Sequence, residues 1–170
     1  MLDENVAKLL NDQINYEFYS AYLYLHFANF YNEAELNGFG NWYMIQAQEE
    51  RDHAMLYIQY LQNNGGTVVL EAIGKPDQEL KNFEDPLKAG LAHEEYVTAL
   101  INNIYHAAYA VKDFRTMQFL DWFVKEQGEE ERNADNLVKR FDLFGRDPKG
   151  LYMLDSELAA RVYAAPSLVL

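Results

Sequence analysis

Apolar residues recur every three or four positions along the first thirty residues of the chain. Leu10, Ile14, Tyr24 and Ala28 lie on this stripe, and its period is that of an amphipathic α-helix. The pattern predicts a helix over about 4–31. Such a helix would be roughly 40 Å long at ~1.5 Å per residue, which is typical of long-helix bundles.

Glycine and proline divide the rest of the chain into further long segments. The uninterrupted stretches predict helices over about 39–63, 86–111 and 114–144, and a short one over 148–162. Asp85-Pro86 and Asp147-Pro148 each indicate a helix start, because aspartate is a good N-cap and proline suits the first helical position.

One connection, 64–85, is too long for a simple turn. Long helices joined by short turns pack as an antiparallel bundle, and a crossover of this length lets helices two and three run parallel. Thr67–Leu70 is expected to lie extended along the bundle. The predicted fold class is all-α, a four-helix bundle with one long crossover between helices two and three and a short fifth helix, in a single domain over 1–170.

Composition excludes several kinds of chemistry. The 170 residues include no cysteine, which rules out disulfides, zinc–thiolate sites and cysteine nucleophiles. The net charge of −13 disfavours nucleic acid and anionic membranes as partners and attracts cations. The first residues are acidic where a signal peptide is basic, and no apolar run reaches membrane length, so we expect a cytoplasmic protein.

A carboxylate interrupts the first apolar stripe. Glu17 lies between Ile14 and Tyr24 on that face, where an unpaired charge is costly. Glu50 and His53 form a Glu-x-x-His pair on the second predicted helix, and this spacing puts both side chains on one face.

The same spacing returns later as a degenerate repeat. A separation of 33 residues joins Glu17 to Glu50 and also Glu94 to Gln127, and a shift of 77 takes position 53 to Glu130. A pseudo-twofold axis would bring six polar groups together at the bundle centre: Glu17, Glu50, His53, Glu94, Gln127 and Glu130. Four carboxylates in a dry core need cations. Their charge matches two divalent metals, and oxygen-rich ligation with one imidazole suits iron or manganese.

These motifs resemble the di-iron ferroxidase centre of ferritins. The second motif, Gln127-x-x-Glu130, is similar to that of the bacterial non-haem ferritins and departs from bacterioferritin. The resemblance covers nearly the whole chain and implies a ferritin-like fold without haem. The ligands that it assigns are Glu17, Glu50 and His53 for the first iron, and Glu94, Glu130 and the bridging Glu50, with Gln127 beside them, for the second.

The resemblance also implies an activity and an assembly. Fe(II) would be oxidised by dioxygen or peroxide and stored as a ferric oxyhydroxide mineral inside a shell of 24 subunits. Tyr24 resembles a tyrosine near the di-iron site, and Trp122 resembles a nearby tryptophan that is a candidate electron donor. A third iron site nearer the inner surface would have the ligands Glu49, Glu126, Glu129 and Glu130.

Plainer interpretations stay open at this point. The buried glutamates could pair with basic residues, the acidic residues of helix four could be a solvated face, and Tyr24 and Trp122 could serve core packing. His26, His93 and His106 have no partner pattern and are interpreted as surface or interface residues.

Three functions compete. The main hypothesis is an iron-storage ferroxidase, and the alternative is an iron-binding cage that nucleates mineral without fast oxidation. A peroxide reductase of the rubrerythrin type would need an electron-delivery domain with cysteines, which the sequence lacks. The aromatic content of 15% exceeds what one bundle core uses and favours self-association, because aromatic residues are enriched at interfaces.

Overall fold

The computed structural model describes residues 2–170, which contain five α-helices and, in that range, no β-strand. The helices are α1 (Glu4–Glu33), α2 (Asn37–Asn63), α3 (Asp85–Ala110), α4 (Phe114–Phe144) and α5 (Pro148–Leu158). The predicted all-α fold is confirmed: five of the ten helix ends lie where the sequence predicted them, and four are shifted by one or two residues. The largest difference is at α5, which ends at Leu158 and not at 162. No helix of the described range combines the length and the apolar character that crossing a bilayer requires.

Contacts between helix ends give the bundle topology. Tyr43, near the start of α2, donates a hydrogen bond to the carbonyl oxygen of Pro86 at the start of α3 (3.2 Å), so α2 and α3 run in the same direction. Tyr60, near the end of α2, is hydrogen-bonded to Thr116 at the start of α4 (2.9 Å), so these two helices are antiparallel.

The crossover, residues 64–84, runs along α1. The side chain of Asn11 exchanges two hydrogen bonds with the backbone of Val69 (3.0 and 2.8 Å). Near the other end, the Tyr31 hydroxyl donates to the carbonyl oxygen of Phe83 (2.6 Å). These bonds satisfy backbone groups that no regular structure pairs, and they confirm the predicted route of the crossover.

Two of the predicted helix starts behave differently. The Asp147 carboxylate accepts from the backbone N–H groups of Lys149 and Gly150 (3.0 and 3.1 Å), so it is the N-cap that the sequence predicted. The Asp85 carboxylate instead accepts from the N–H groups of Lys81 and Asn82 (2.7 and 3.2 Å). Asp85 therefore stabilises the turn before α3, and its prediction as an N-cap was wrong.

The start of α2 is capped from another helix. Leu36, its N-cap residue, makes no capping bond with its side chain. The Asp155 carboxylate of α5 accepts instead from the N–H groups of Gly38 and Phe39 (2.8 and 3.0 Å). An added Cβ at Gly38 would lie 1.7 Å from the Asp155 carbonyl oxygen, so this position needs glycine for α5 to dock.

A polar layer divides the core into two apolar clusters. The first, here the Leu10 cluster, contains Leu10, Leu61 and Phe119 and lies around the first half of α1. The second, here the Phe27 cluster, contains Phe27 and Phe141 and extends to α5. The helix midpoints between these clusters carry the buried polar side chains.

The internal repeat is visible in the helix boundaries. A shift of 77 residues takes Glu33, the last residue of α1, to Ala110, the last residue of α3. The same shift takes Asn37, the first residue of α2, to Phe114, the first residue of α4. The two helix pairs therefore share the position of the turn that joins their helices as well as their polar positions.

Candidate metal centre

The polar layer contains all six side chains that the repeat predicted. Each long helix contributes at least one of them, and each residue is at most 6% exposed. They are Glu17, Glu50, His53, Glu94, Gln127 and Glu130. The buried polar residues of 2–170 include no lysine or arginine, so these glutamates are not neutralised by basic side chains in the core.

Three of these side chains form a compact group. One ligand atom from each of Glu17, Glu50 and His53 can be chosen so that all three atoms lie within 4.8 Å of one another, and no other such group of three occurs in residues 2–170. The imidazole Nδ1 of His53 lies 3.5 Å from Glu50 Oε2. Glu17 Oε2 and Glu50 Oε1 are buried without any hydrogen-bond partner. Buried polar atoms are nearly always partnered, so this donor set fits a hard divalent cation.

The second pair of carboxylates is in a different state. Glu94 accepts from the Tyr24 hydroxyl at Oε1 and from the Gln127 amide at Oε2 (3.1 Å). Glu130 accepts from the Gln46 amide at Oε2 (2.9 Å). Neutral donors therefore occupy oxygens that a second metal would need, and the Gln127 nitrogen faces Glu94.

Burial controls the protonation of this layer. Removal from water raises the pKa of Glu17 well above its ordinary value, and the neighbouring Glu50 carboxylate raises it further. The pKa of Glu50 is raised by burial, then by Glu94 and Glu130. Burial, followed by Glu130, raises the pKa of Glu94 to about 8. Without a cation these carboxyl groups retain protons, and a bound metal would replace those protons.

Two aromatic residues contact the layer from opposite sides. Tyr24 belongs to the Phe27 cluster and is 1% exposed. Its pKa is raised by burial and then by Glu94, so it stays a hydrogen-bond donor. Trp122 packs against the Leu10 cluster, with its ring edge-to-face against His53 at 5.5 Å. Both lie where the sequence predicted, beside candidate ligands.

Sequence reasoning missed two supporting amides. Gln13 donates to Glu17 Oε1 (2.9 Å), and Gln46 is the partner of Glu130 described above. Each glutamine stands four residues before a candidate ligand, Glu17 or Glu50. The i, i+4 spacing places it on the same helix face, and this signal could have found both.

The residues predicted to form a third iron site lie near one another, but their carboxylates do not converge on a common point in the structure. Glu49 and Glu126 are half-buried. Burial raises the pKa of both carboxyl groups, and Glu126 adds to the rise in the pKa of Glu49. Glu126 is also near Glu129 and Glu130. The carboxylate of Glu49, however, is bound by Arg161, a residue that sequence reasoning did not consider.

His93 is an internal residue. It lies half-buried between α1 and α3, where burial lowers its pKa to about 4, so it is neutral. Its Nε2 is 2.7 Å from the Ser20 hydroxyl, which donates its own hydrogen to the carbonyl oxygen of Tyr16 (2.9 Å). The Ser20 oxygen therefore accepts from His93 Nε2–H. The sequence predicted a surface or interface residue at this position. His93 lies instead between two helices of the same subunit.

The chain is similar in sequence to known proteins over most of its length. Residues 7–144 match the family model described as a ferritin-like domain. The chain is 38% identical to a bacterial non-heme ferritin of Campylobacter jejuni, over 91% of this chain and 93% of that protein. It is 35% identical to a probable bacterial non-heme ferritin-like protein of Haemophilus influenzae, over 93% and 96% of the two chains.

Solved structures agree with these relatives. An open-pore ferritin of the archaeon Archaeoglobus fulgidus superposes with a TM-score of 0.93 at 40% identity, over 95% of this chain and all of that one. The helices, the crossover and the short α5 thus have counterparts throughout. The chain belongs to the ferritin family.

Proposed function

We propose that this protein stores iron and is a ferroxidase, oxidising Fe(II) to Fe(III) with dioxygen or peroxide in the polar layer. The observation that carries the proposal is the group of Glu17, Glu50 and His53, with two buried carboxylate oxygens that have no partner. A core that buries four glutamates and no basic side chain in residues 2–170 requires cations to become fully ionised.

The substrate ions would occupy two unequal positions. Glu17, Glu50 and His53 would hold the first Fe(II). Glu94 and Glu130 would hold the second, after giving up hydrogen bonds from their neutral donors. Each Fe(II) loses one electron, and one dioxygen takes both electrons with two protons to give hydrogen peroxide. Tyr24 keeps its hydroxyl hydrogen at Glu94 and would orient that carboxylate.

Storage further requires self-association. Large apolar side chains remain exposed on the single subunit, more than isolated surface residues would explain. They include Tyr109 (64%), Phe114 (63%), Leu143 (74%), Tyr152 (72%) and Met153 (62%). We propose that these faces meet other copies in a cytoplasmic shell of 24 subunits around a ferric oxyhydroxide mineral.

The activity is tested by adding Fe(II) to the apoprotein in air and following near-UV absorbance. The wild type should oxidise iron well above the rate of autoxidation. Glu17→Gln should slow the reaction on the order of a hundredfold, as expected when a metal ligand that positions the substrate is lost. Glu33→Gln, at an exposed glutamate of the same helix, is the matched control and should behave as wild type.

The alternative function is an iron-binding cage that nucleates mineral without fast oxidation. It is favoured by the hydrogen bonds that occupy Glu94 and Glu130, because oxidation by dioxygen needs both positions filled. Iron binding with an oxidation rate no faster than autoxidation would support this alternative against the ferroxidase.

A further inference from the structure

The residues after α5 fold back over the bundle as a strap, defined here as residues 159–170. The carbonyl oxygen of Arg161 accepts from the Asn41 amide (3.1 Å) at the start of α2. Tyr163 donates to the Asp52 carboxylate further along α2. Leu168 packs against the Leu10 cluster. The strap therefore follows α2 from the Phe27 cluster towards the Leu10 cluster.

The strap also contacts α4. The indole N–H of Trp122 donates to the Ser167 hydroxyl (2.9 Å). The same indole ring packs edge-to-face against the ring of His53. The strap thus lies on the side of the bundle where α2 and α4 present the acidic residues Glu49 and Glu126. That is the face on which a third metal position was predicted.

Arg161 is held by three contacts. Its Nη2 lies 2.6 Å from Glu49 Oε2, its Nη1 donates to the Trp42 carbonyl oxygen (3.2 Å), and its guanidinium carbon is 4.1 Å from the centre of the Trp42 ring. The paired side chains of Arg161 and Glu49 are each only 18% exposed. A planar guanidinium that is both stacked and hydrogen-bonded is a fixed cation.

We propose that the Arg161 guanidinium is a tethered cation that competes with iron for Glu49, so that the strap sets the affinity and selectivity of the third metal position. The proposal rests on the proposed function and on the third iron site, with Glu49 among its ligands, that the family resemblance implies. An ion entering between Glu49 and Glu126 must displace Arg161 or bind through fewer ligands. The stack on Trp42 gives the displaced guanidinium a place to remain nearby.

Tethering makes the competition selective. Arg161 is part of the same chain, so its effective concentration at Glu49 is on the order of millimolar and does not change with dilution. A monovalent cation in solution gains too little Coulomb energy at Glu49 to displace Arg161. An ion with two or three charges gains correspondingly more. Iron would therefore occupy Glu49 only transiently before it moves on to the mineral.

The test uses assembled apoprotein without oxygen, titrated with Tb³⁺. This ion is redox-inert, prefers oxygen ligands, and emits when a nearby tryptophan is excited, so Trp42 and Trp122 report on it. Binding steps lost in Glu17→Gln belong to the proposed ferroxidase centre. A step lost in Glu49→Gln belongs to the third position.

The decisive variant is Arg161→Gln. The Glu49-dependent step should become about tenfold tighter, since a partly buried charged hydrogen bond no longer opposes it. The Glu17-dependent steps should not change. Arg140→Gln removes the same charge from an exposed pair with Glu157 and should match the wild type. Arg161→Lys keeps the charge but loses the stack on Trp42, so its Glu49-dependent step should lie between those of the wild type and Arg161→Gln.

A second variant tests the effect of the strap's anchoring separately from the effect of the Arg161 charge. Tyr163→Phe removes the hydrogen bond to Asp52 and leaves every charge in place. Looser anchoring should tighten the Glu49-dependent step by about twofold. This variant is informative even if Arg161→Gln does not assemble.

The outcomes distinguish the two proposals. An unchanged or weaker Glu49-dependent step in Arg161→Gln and Tyr163→Phe, with the Glu17-dependent steps intact, overturns the competition alone. A gain in Arg161→Lys equal to that in Arg161→Gln would overturn charge as its cause. Absence of any Glu17-dependent step in the wild type overturns the proposed function.

Discussion

The buried glutamates differ in how many hydrogen bonds they receive. Glu17 has one amide donor and one free oxygen. Glu50 has a free Oε1, and its Oε2 lies 3.5 Å from His53 Nδ1. Glu94 has donors at both oxygens. A cation therefore meets ready ligands on the α1–α2 side and must displace donors on the α3–α4 side, so the two positions should fill in order.

Gln127→Glu tests this order of filling. The wild type should bind Fe(II) first at Glu17 and His53 and more weakly at Glu94, because an amide is a poor iron ligand. The new carboxylate should tighten the second step by on the order of tenfold, slow turnover after the first oxidation, and leave the first step nearly unchanged. Anaerobic Fe(II) calorimetry of both proteins measures this. Equal affinities in the wild type, or a change in the first step alone, would contradict the argument.

Metal removal should destabilise the wild type more than Glu17→Gln. An ion that binds only the folded state stabilises it by about 2.7 kcal/mol at a concentration of 100 Kd, and the variant lacks one ligand for that ion. Calorimetric melting of both proteins, with and without metal, gives the two shifts. Glu33→Gln should respond as the wild type does. Equal shifts for wild type and Glu17→Gln would remove Glu17 from the ligands.

The metal-free protein should lose stability as pH rises. Glu94 has a pKa of about 8 in the folded state, against an ordinary value of 4.5, so the folded state binds more protons than the unfolded state between these pH values. Unfolding free energy then falls through this window and levels off above it. The change from Glu94 alone over the whole window is on the order of 5 kcal/mol.

Denaturant melts of metal-free protein at pH 5 and pH 8 measure this loss. Glu94→Gln should reduce the pH dependence, because the amide does not titrate, whereas Glu17 and Glu50, whose pKa values are also raised, still do. Glu95→Gln, at the exposed neighbouring glutamate, should keep the wild-type slope. The same slope in all three proteins would contradict the assignment to Glu94.

At the scale of helices, local signals predicted the fold well where the chain caps itself. The bounds of α4, 114–144, were predicted as found. Asp113 marks the start because it caps its own helix by accepting from Thr116 N–H (3.1 Å), and Gly145, the C-cap residue, marks the end. The start of α2 could not be predicted, since its cap is Asp155, more than a hundred residues away. Asp85 was misread because a local turn competed for the same carboxylate.

The positions of the polar layer were predictable for a related reason. A regular spacing repeated 77 residues later identifies positions that share one helix face, without any knowledge of packing. Arg161 could not be found in this way, because it lies outside the repeat and reaches Glu49 through the fold of the strap. The direction of the Gln127 amide was likewise unpredictable, since Glu94 and a metal would compete for it.

Gly128→Ala should stabilise α4. Gly128 is exposed in the middle of that helix, and an added Cβ would meet no atom within 4 Å. Alanine is preferred over glycine in a helix interior by about 1 kcal/mol. Denaturant unfolding of the variant measures this gain, and Lys125→Ala, one turn earlier and also exposed, should leave stability nearly unchanged. A loss of stability in Gly128→Ala would mean that a neighbouring copy covers this position.

At the scale of the whole molecule, charge should govern iron uptake. The net charge of −13 attracts Fe(II) over a distance that shrinks from ~30 Å at 0.01 M salt to ~10 Å at 0.1 M. Initial uptake at low iron should therefore slow by up to about tenfold across this range. Stopped-flow measurements over a salt series test it, with saturating iron as the control. Salt-independent uptake at low iron would exclude long-range steering.

The division of the core into the Leu10 and Phe27 clusters affects where the bundle opens by local unfolding. Amides in the middle of a long helix normally exchange with solvent most slowly, because helix ends fray first. Here the helix midpoints hold buried carboxyl groups, two of which have an oxygen without a hydrogen-bond partner. An unpartnered buried polar atom is costly, so the metal-free bundle should be least stable at this level. Hydrogen exchange at residues 17–20 and 50–53 should be faster than one or two turns to either side. Bound iron should reverse that order. The polar layer, which is the least stable part of the bundle without metal, would then hold the Leu10 and Phe27 clusters together.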